Sequence, residues 1–145
     1  MAQRYKLYSA EDDATQPWRW FASPQAAEFW LDKAIQKKWY RKNSPVRHVK
    51  LVYPCNANMA SSIIDGEVIT ISVPAQALHM GLLIHELTHP IAGVTKGGTP
   101  ADHEKDHGRR FAGALIEAYR HLDCTATAKD LQAEFEKRGV KFDPF

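Results

Sequence analysis

Apolar residues recur at helical spacing in some stretches of this chain and alternate with polar ones in others. After Ser23, the residues Ala27, Trp30, Leu31, Ala34 and Ile35 fall on one side of a helix. Ser23 is a good N-cap, Pro24 suits the first helical position, and Lys37, Lys38, Arg41 and Lys42 gather at the negative end of the helix dipole. A later helix is predicted over 109–122, with Phe111, Leu115 and Leu122 at helical spacing and Ala112, Ile116 and Tyr119 beside them. A last helix starts at Thr127, with Asp130 three residues on, and ends at Gly139. Val140 and Phe142 are expected to fold back onto the core. Strand alternation covers Val46 to Tyr53, where Pro54 stops it. Ser62-Ile63-Ile64 and Val68-Ile69-Thr70-Ile71 flank Asp65-Gly66-Glu67, and Asp-Gly between β-branched runs is a strong hairpin signal. Arg4 to Tyr8 reads either as a short strand or as the lead-in to a helix. Trp18-Arg19-Trp20-Phe21 reads as core or packing surface ahead of an aromatic substrate shelf.

The most informative apolar run is Leu82-Leu83-Ile84-His85-Glu86-Leu87-Thr88-His89, inside a helix predicted from about Ala75 to Ile91. Residues four apart share a helix face, so His85 and His89 can point at one metal ion. Glu86 stands beside the ligands but outside the first shell, which suits a general base acting on zinc-activated water. With seven His and eight Glu in 145 residues, chance supplies roughly 0.02 such motifs per chain. Pro90 removes a backbone donor and disfavours α geometry at His89, so a kink or an early helix end is expected there.

A catalytic zinc takes three protein ligands and leaves a position for water. The third ligand must follow the glycine-bearing stretch from Gly93 to Pro100, which is either a lid or a connection. A metzincin pattern is excluded because Ala92 and Thr95 occupy the positions that need Gly and His. The stretch Asp102-His103-Glu104-Lys105-Asp106-His107-Gly108 offers the candidates, with Glu117 on the next helix. His107 is preferred: Gly108 allows close backbone approach, and the helix carrying Phe111 and Leu115 would anchor it. His103, one turn earlier if helical, is the nearest competitor. Tyr119, His103 and Arg109 are candidates for the electrophile that stabilises a transition-state oxyanion, and Asp102 or Asp106 for orienting a ligand histidine.

His85-Glu86-Leu87-Thr88-His89 followed by His107-Gly108-Arg109-Arg110-Phe111 resembles the HExxH…HGxxF layout of SprT-like and related small zincins. The chain is also similar to short metallohydrolases of actinobacteria and their phages, whose opening Tyr-x-Ala/Ser-Ala-Glu corresponds here to Tyr8-Ser9-Ala10-Glu11. The specific match covers about residues 67 to 122, and the chain departs from its relatives at Pro90. The resemblance implies zinc on His85, His89 and His107, Glu86 as base, and a small zincin-like α+β fold.

Length and composition fit one soluble domain over 1–145, with 44% hydrophobic and 25% charged residues. The expected architecture is a small, mainly antiparallel sheet of three or four strands, packed with an N-terminal helix, the HExxH helix and two C-terminal helices. A formal charge of +2 does not by itself imply a nucleic-acid partner. Cys55 and Cys124 lack C-x-x-C spacing and read as free thiols. With no signal core and no membrane-length apolar run, a cytoplasmic location is expected. The leading functional expectation is a zinc hydrolase acting on a peptide or protein, with a small amide as a variant the motif does not separate. The alternative is a zinc-stabilised binding protein using the basic, aromatic stretch from Lys37 to Lys50 to hold nucleic acid.

Overall fold

The computed structural model describes residues 3–93 and 107–145. The architecture is α+β. Its elements are α1 (Gln3–Ala14), α2 (Pro24–Gln36), α3 (Lys38–Asn43), β1 (His48–Cys55), β2 (Ser61–Asp65), β3 (Val68–Pro74), α4 (Met80–Ala92), α5 (Arg109–Leu122) and α6 (Thr125–Arg138). They fall into two compact units, one formed by the middle of the chain and one by its two ends.

In the middle unit α2 begins as its sequence predicts. The Ser23 hydroxyl accepts from the Ala26 amide at 3.1 Å, and Pro24 occupies the first turn. The helix does not run on through the lysines. Lys37 is extended (φ −61°, ψ 139°), and the chain restarts as α3. The break has a packing reason: it buries Tyr40 completely, and its hydroxyl donates 2.8 Å to the Leu87 carbonyl of α4. Burial also pushes the Tyr40 phenol above its ordinary range, keeping it a donor.

The three-stranded sheet has the order β1-β3-β2. β2 and β3 form the predicted hairpin, and Gly66 takes the left-handed conformation (φ 59°) that its turn requires. The expectation of a mainly antiparallel sheet needs correction, because β1 pairs with β3 in parallel. β3 is the strand with Ile69, Ile71 and Val73 fully buried, and it gains most from a neighbour on both sides. It therefore inserts between β1 and β2. Strand periodicity reports which residues face inward, not which strand lies alongside. β1 also continues through Pro54 to Cys55, with a register irregularity after Val52. An edge strand tolerates the missing proline donor.

The motif helix α4 starts at Met80, five residues later than expected, since Ala75–Leu78 turn before it. Nor does the helix end at His89. It passes through Pro90 to Ala92 and is capped by left-handed Gly93 (φ 74°), whose amide donates to the His89 carbonyl. Pro90 sits in the final turn, where a missing N–H removes only one intrahelical bond.

The terminal unit contains three helices. Arg4 to Tyr8 lies within α1, whose Leu7 and Ala10 are buried, and α1 packs on α6. An Arg138–Asp13 ion pair and the bonds between Gln3 and Lys141 tie the same two regions. α6 starts two residues before the predicted Thr127, with Cys124 as N-cap, and ends at left-handed Gly139 (φ 72°) as predicted. The tail folds back: Val140 is buried, and Phe142 packs near Phe135, 6.1 Å between ring centres. Among the described residues, no helix is long and apolar enough to cross a membrane.

Candidate metal centre

α4 is buried along nearly its whole length, so its histidines lie on a rigid core element. Relative exposure is 8% for His85, 3% for Glu86 and 0% for His89. The two imidazoles sit one turn apart with ring centres 5.5 Å from each other and planes at 70°. Glu86 Oε1 lies 4.0 Å from His89 Nε2. Thr88 is turned away from this role, its hydroxyl donating 2.7 Å back to the Ile84 carbonyl.

The start of α4 is fixed by a residue that periodicity did not flag. His79 is its N-cap, with Nδ1 accepting from the Leu82 amide at 3.3 Å. Its ring stacks on Trp18 (4.6 Å, 4° between planes) and meets Trp20 edge-on at 5.1 Å. The aromatic cluster expected as core thus braces the motif helix, while Trp20 itself stays 54% exposed.

His107 occupies the turn before α5, is 2% exposed, and packs edge-on against Phe111, 4.8 Å between ring centres. Phe111 is the anchor expected from the sequence. His85 and His89 offer two buried imidazoles one turn apart on α4 in the middle unit, and the buried His107 offers a third in the terminal unit. Imidazole donors suit zinc among other transition metals.

Tyr119 is buried, and its hydroxyl donates 2.6 Å to Glu11 Oε2. Burial first, then the Glu11 charge, raises its phenol pKa well above the ordinary range, so its one proton stays engaged with that carboxylate. Arg109 is exposed and pairs with Asp143 at 3.0 Å. His103, Asp102, Glu104 and Asp106 lie outside the described residues, as does most of the glycine-bearing stretch. In the basic segment, Lys38, Arg41, Lys42 and Lys50 are exposed. Tyr40 has no exposed face for stacking, and the Arg47 guanidinium donates to the Ser44, Val46 and Arg41 carbonyls.

Tyr8 is a contact that sequence reasoning did not connect to the site. It meets His107 edge-on, 5.2 Å between ring centres, with its hydroxyl 3.4 Å from Nε2. The only signal was its place in the opening Tyr8-Ser9-Ala10-Glu11. Comparison with known family models, curated proteins and solved structures gives no match.

Proposed function

We propose that this chain is a zincin-type zinc hydrolase and that its substrates are peptides. The observation carrying the reading is the pair of buried imidazoles, His85 and His89, one turn apart on α4 with ring centres 5.5 Å from each other, and the buried Glu86 carboxylate one residue from His85 on the same helix. Zinc held by His85, His89 and His107 would supply a Lewis acid for the scissile carbonyl and lower the pKa of an attacking water.

Glu86 is the proton carrier in this reading. It accepts a proton as water adds to the amide carbon and returns it to the amine nitrogen as the C–N bond breaks. Its burial limits competing solvent, and its place on α4 holds it near His89, 4.0 Å away. A peptide substrate is favoured over a small amide by the sheet. β2 pairs only with β3 among the described strands, and it packs against α4. Its outer edge can accept an extended chain through main-chain hydrogen bonds.

The test is Glu86→Gln, with zinc content and hydrolysis of a mixed peptide library measured on the same preparations. The expected outcome is about one zinc per chain in both proteins, and a loss of at least about 10²-fold in turnover for the variant. Cleavage by Glu86→Gln at the wild-type rate would reject the assigned role.

A further inference from the structure

The two edges of the sheet are built differently. β1 is blunted: His48 and Lys50 are exposed, Pro54 lacks an amide, and the register breaks after Val52. Charge, proline and irregular register are what keep an edge from recruiting another strand. β2, at the other edge, pairs only with β3 among the described strands. From Ser61 to Ile64 it has no charge and no proline, and its register runs unbroken from Ser61↔Ser72 to Asp65↔Val68. Ile63 stands 67% exposed at its centre. β1, β2 and β3 all lie within the middle unit.

The hairpin fixes which backbone groups of β2 face outward. Gly66 and Glu67 form a two-residue turn, so Asp65 and Val68 are a hydrogen-bonded pair. The pattern alternates along an antiparallel strand. The amides and carbonyls of Asp65, Ile63 and Ser61 therefore point to β3, and those of Ser62 and Ile64 point to the free edge.

The same strand from a second copy fits that edge. Run antiparallel about a twofold axis at Ile63, Ser62 faces Ile64 of the second copy and Ile64 faces its Ser62. Both are outward-pointing residues, so each pair exchanges its N–H···O bonds. Ile63 meets its own counterpart in the non-hydrogen-bonded position, where opposing side chains come closest. Ser61 falls opposite Asp65, a hydroxyl donor against a carboxylate, and no like charges oppose each other. Moving the axis to Ser62 or Ile64 would set Ile63 against Ser61 or Asp65 and lose the apolar pair. We infer that β2 is a self-recognition edge, joining the sheets of two copies of this chain through an isologous contact centred on Ile63. The inference goes beyond the hydrolase reading and does not depend on it, since no group of the metal centre takes part. It adds a consequence: the edge offered to an extended substrate is covered in the dimer and open in the monomer.

The test is sedimentation velocity of the full chain between about 1 μM and about 1 mM, with and without chelator. The expected result is a concentration-dependent dimer that chelator does not change. Ile63→Lys sets like charges opposite each other at the axis and alters a side chain that packs little within its own copy. It should sediment as a monomer over the same range, with an unchanged circular-dichroism spectrum. Oxidation of cysteine variants in a Cys55→Ser, Cys124→Ser chain reads the register. Residues opposed in a non-hydrogen-bonded pair stand about 4.5 Å apart at Cα, within disulfide reach. Ile63→Cys should therefore cross-link to itself, and Val52→Cys on the β1 edge should not. A wild-type chain that stays monomeric throughout, including one whose β2 edge binds an extended peptide instead, would overturn the inference and leave the hydrolase reading standing. So would a dimer that persists in Ile63→Lys, or cross-linking through Val52→Cys as fast as through Ile63→Cys.

Discussion

Gly113→Ala offers a test in which local and tertiary physics predict opposite signs. Gly113 lies inside α5, where alanine is favoured over glycine by about 1 kcal/mol. On helix propensity alone the variant should be more stable. The structure reverses this. A Cβ at Gly113 would sit 2.0 Å from the Asp143 carbonyl oxygen and 3.1 Å from its carbon. Ordinary contact begins near 3.4 Å, so the tail must retreat by roughly 1.4 Å, a displacement of the size that overpacking penalties describe. That movement strains the Asp143 amide bond to the Arg109 carbonyl, 3.0 Å, and the Arg109–Asp143 ion pair. Overpacking typically costs about 1–3 kcal/mol, and a weakened backbone bond adds about 0.5–1.5 kcal/mol. Less the propensity gain, the net loss should be about 1–3 kcal/mol. Urea unfolding reads it directly as a lower midpoint at an unchanged slope. The decisive control repeats the substitution in a chain truncated after Val140. With the clash partner gone, alanine should become stabilising, so the two backgrounds give opposite signs. A Gly113→Ala protein as stable as wild type, or the same sign in both backgrounds, would refute the placement of the tail on α5.

Further outcomes follow from one buried hydrogen bond and one helix-capping thiol. Tyr119→Phe removes the 2.6 Å charge-assisted bond to the buried Glu11 carboxylate and should cost about 1.5–3 kcal/mol in urea unfolding; a negligible change would mean the bond is not formed in solution. The phenol's raised pKa fixes the sign of its pH dependence. Its contribution is intact below the ordinary value of 10.0 and declines as pH rises above it, so the wild type should lose its advantage over Tyr119→Phe in strongly alkaline melts. Cys124 is exposed, and a hydrogen bond from Thr127 lowers its thiol pKa. Its alkylation rate should reach half-maximum at lower pH than that of an unstructured cysteine. Thr127→Val should move that midpoint upward, and no movement would remove Thr127 as the cause.

The local placements that the sequence predicted were legible because they follow short-range rules. His85, Glu86 and His89 were readable from one helical turn, Ser23-Pro24 from the needs of a helix start, and Asp65-Gly66 from a turn that demands a left-handed residue. His107 was reachable because Phe111 marks the apolar face of the helix that follows it. Helix starts were read less well where the cap was unusual. His79 and Cys124 are not residues that capping preferences select, and both displaced a predicted boundary.

Long-range partners left no such trace in the chain. Nothing local says that β3 should lie between β1 and β2, because alternation specifies a face and not a neighbour. Nothing near Pro90 shows that the helix survives it; that depends on the proline's place in the final turn and on Gly93 closing the end. The partners separated by about a hundred residues, Tyr8 with His107 and Glu11 with Tyr119, meet only once the ends of the chain have packed together. By itself the sequence determined that His85, Glu86 and His89 share one helical turn, since that follows from helical spacing. Tertiary structure alone decided which polar groups each buried ring and carboxylate touches, since desolvated donors and acceptors must find partners wherever the fold brings them.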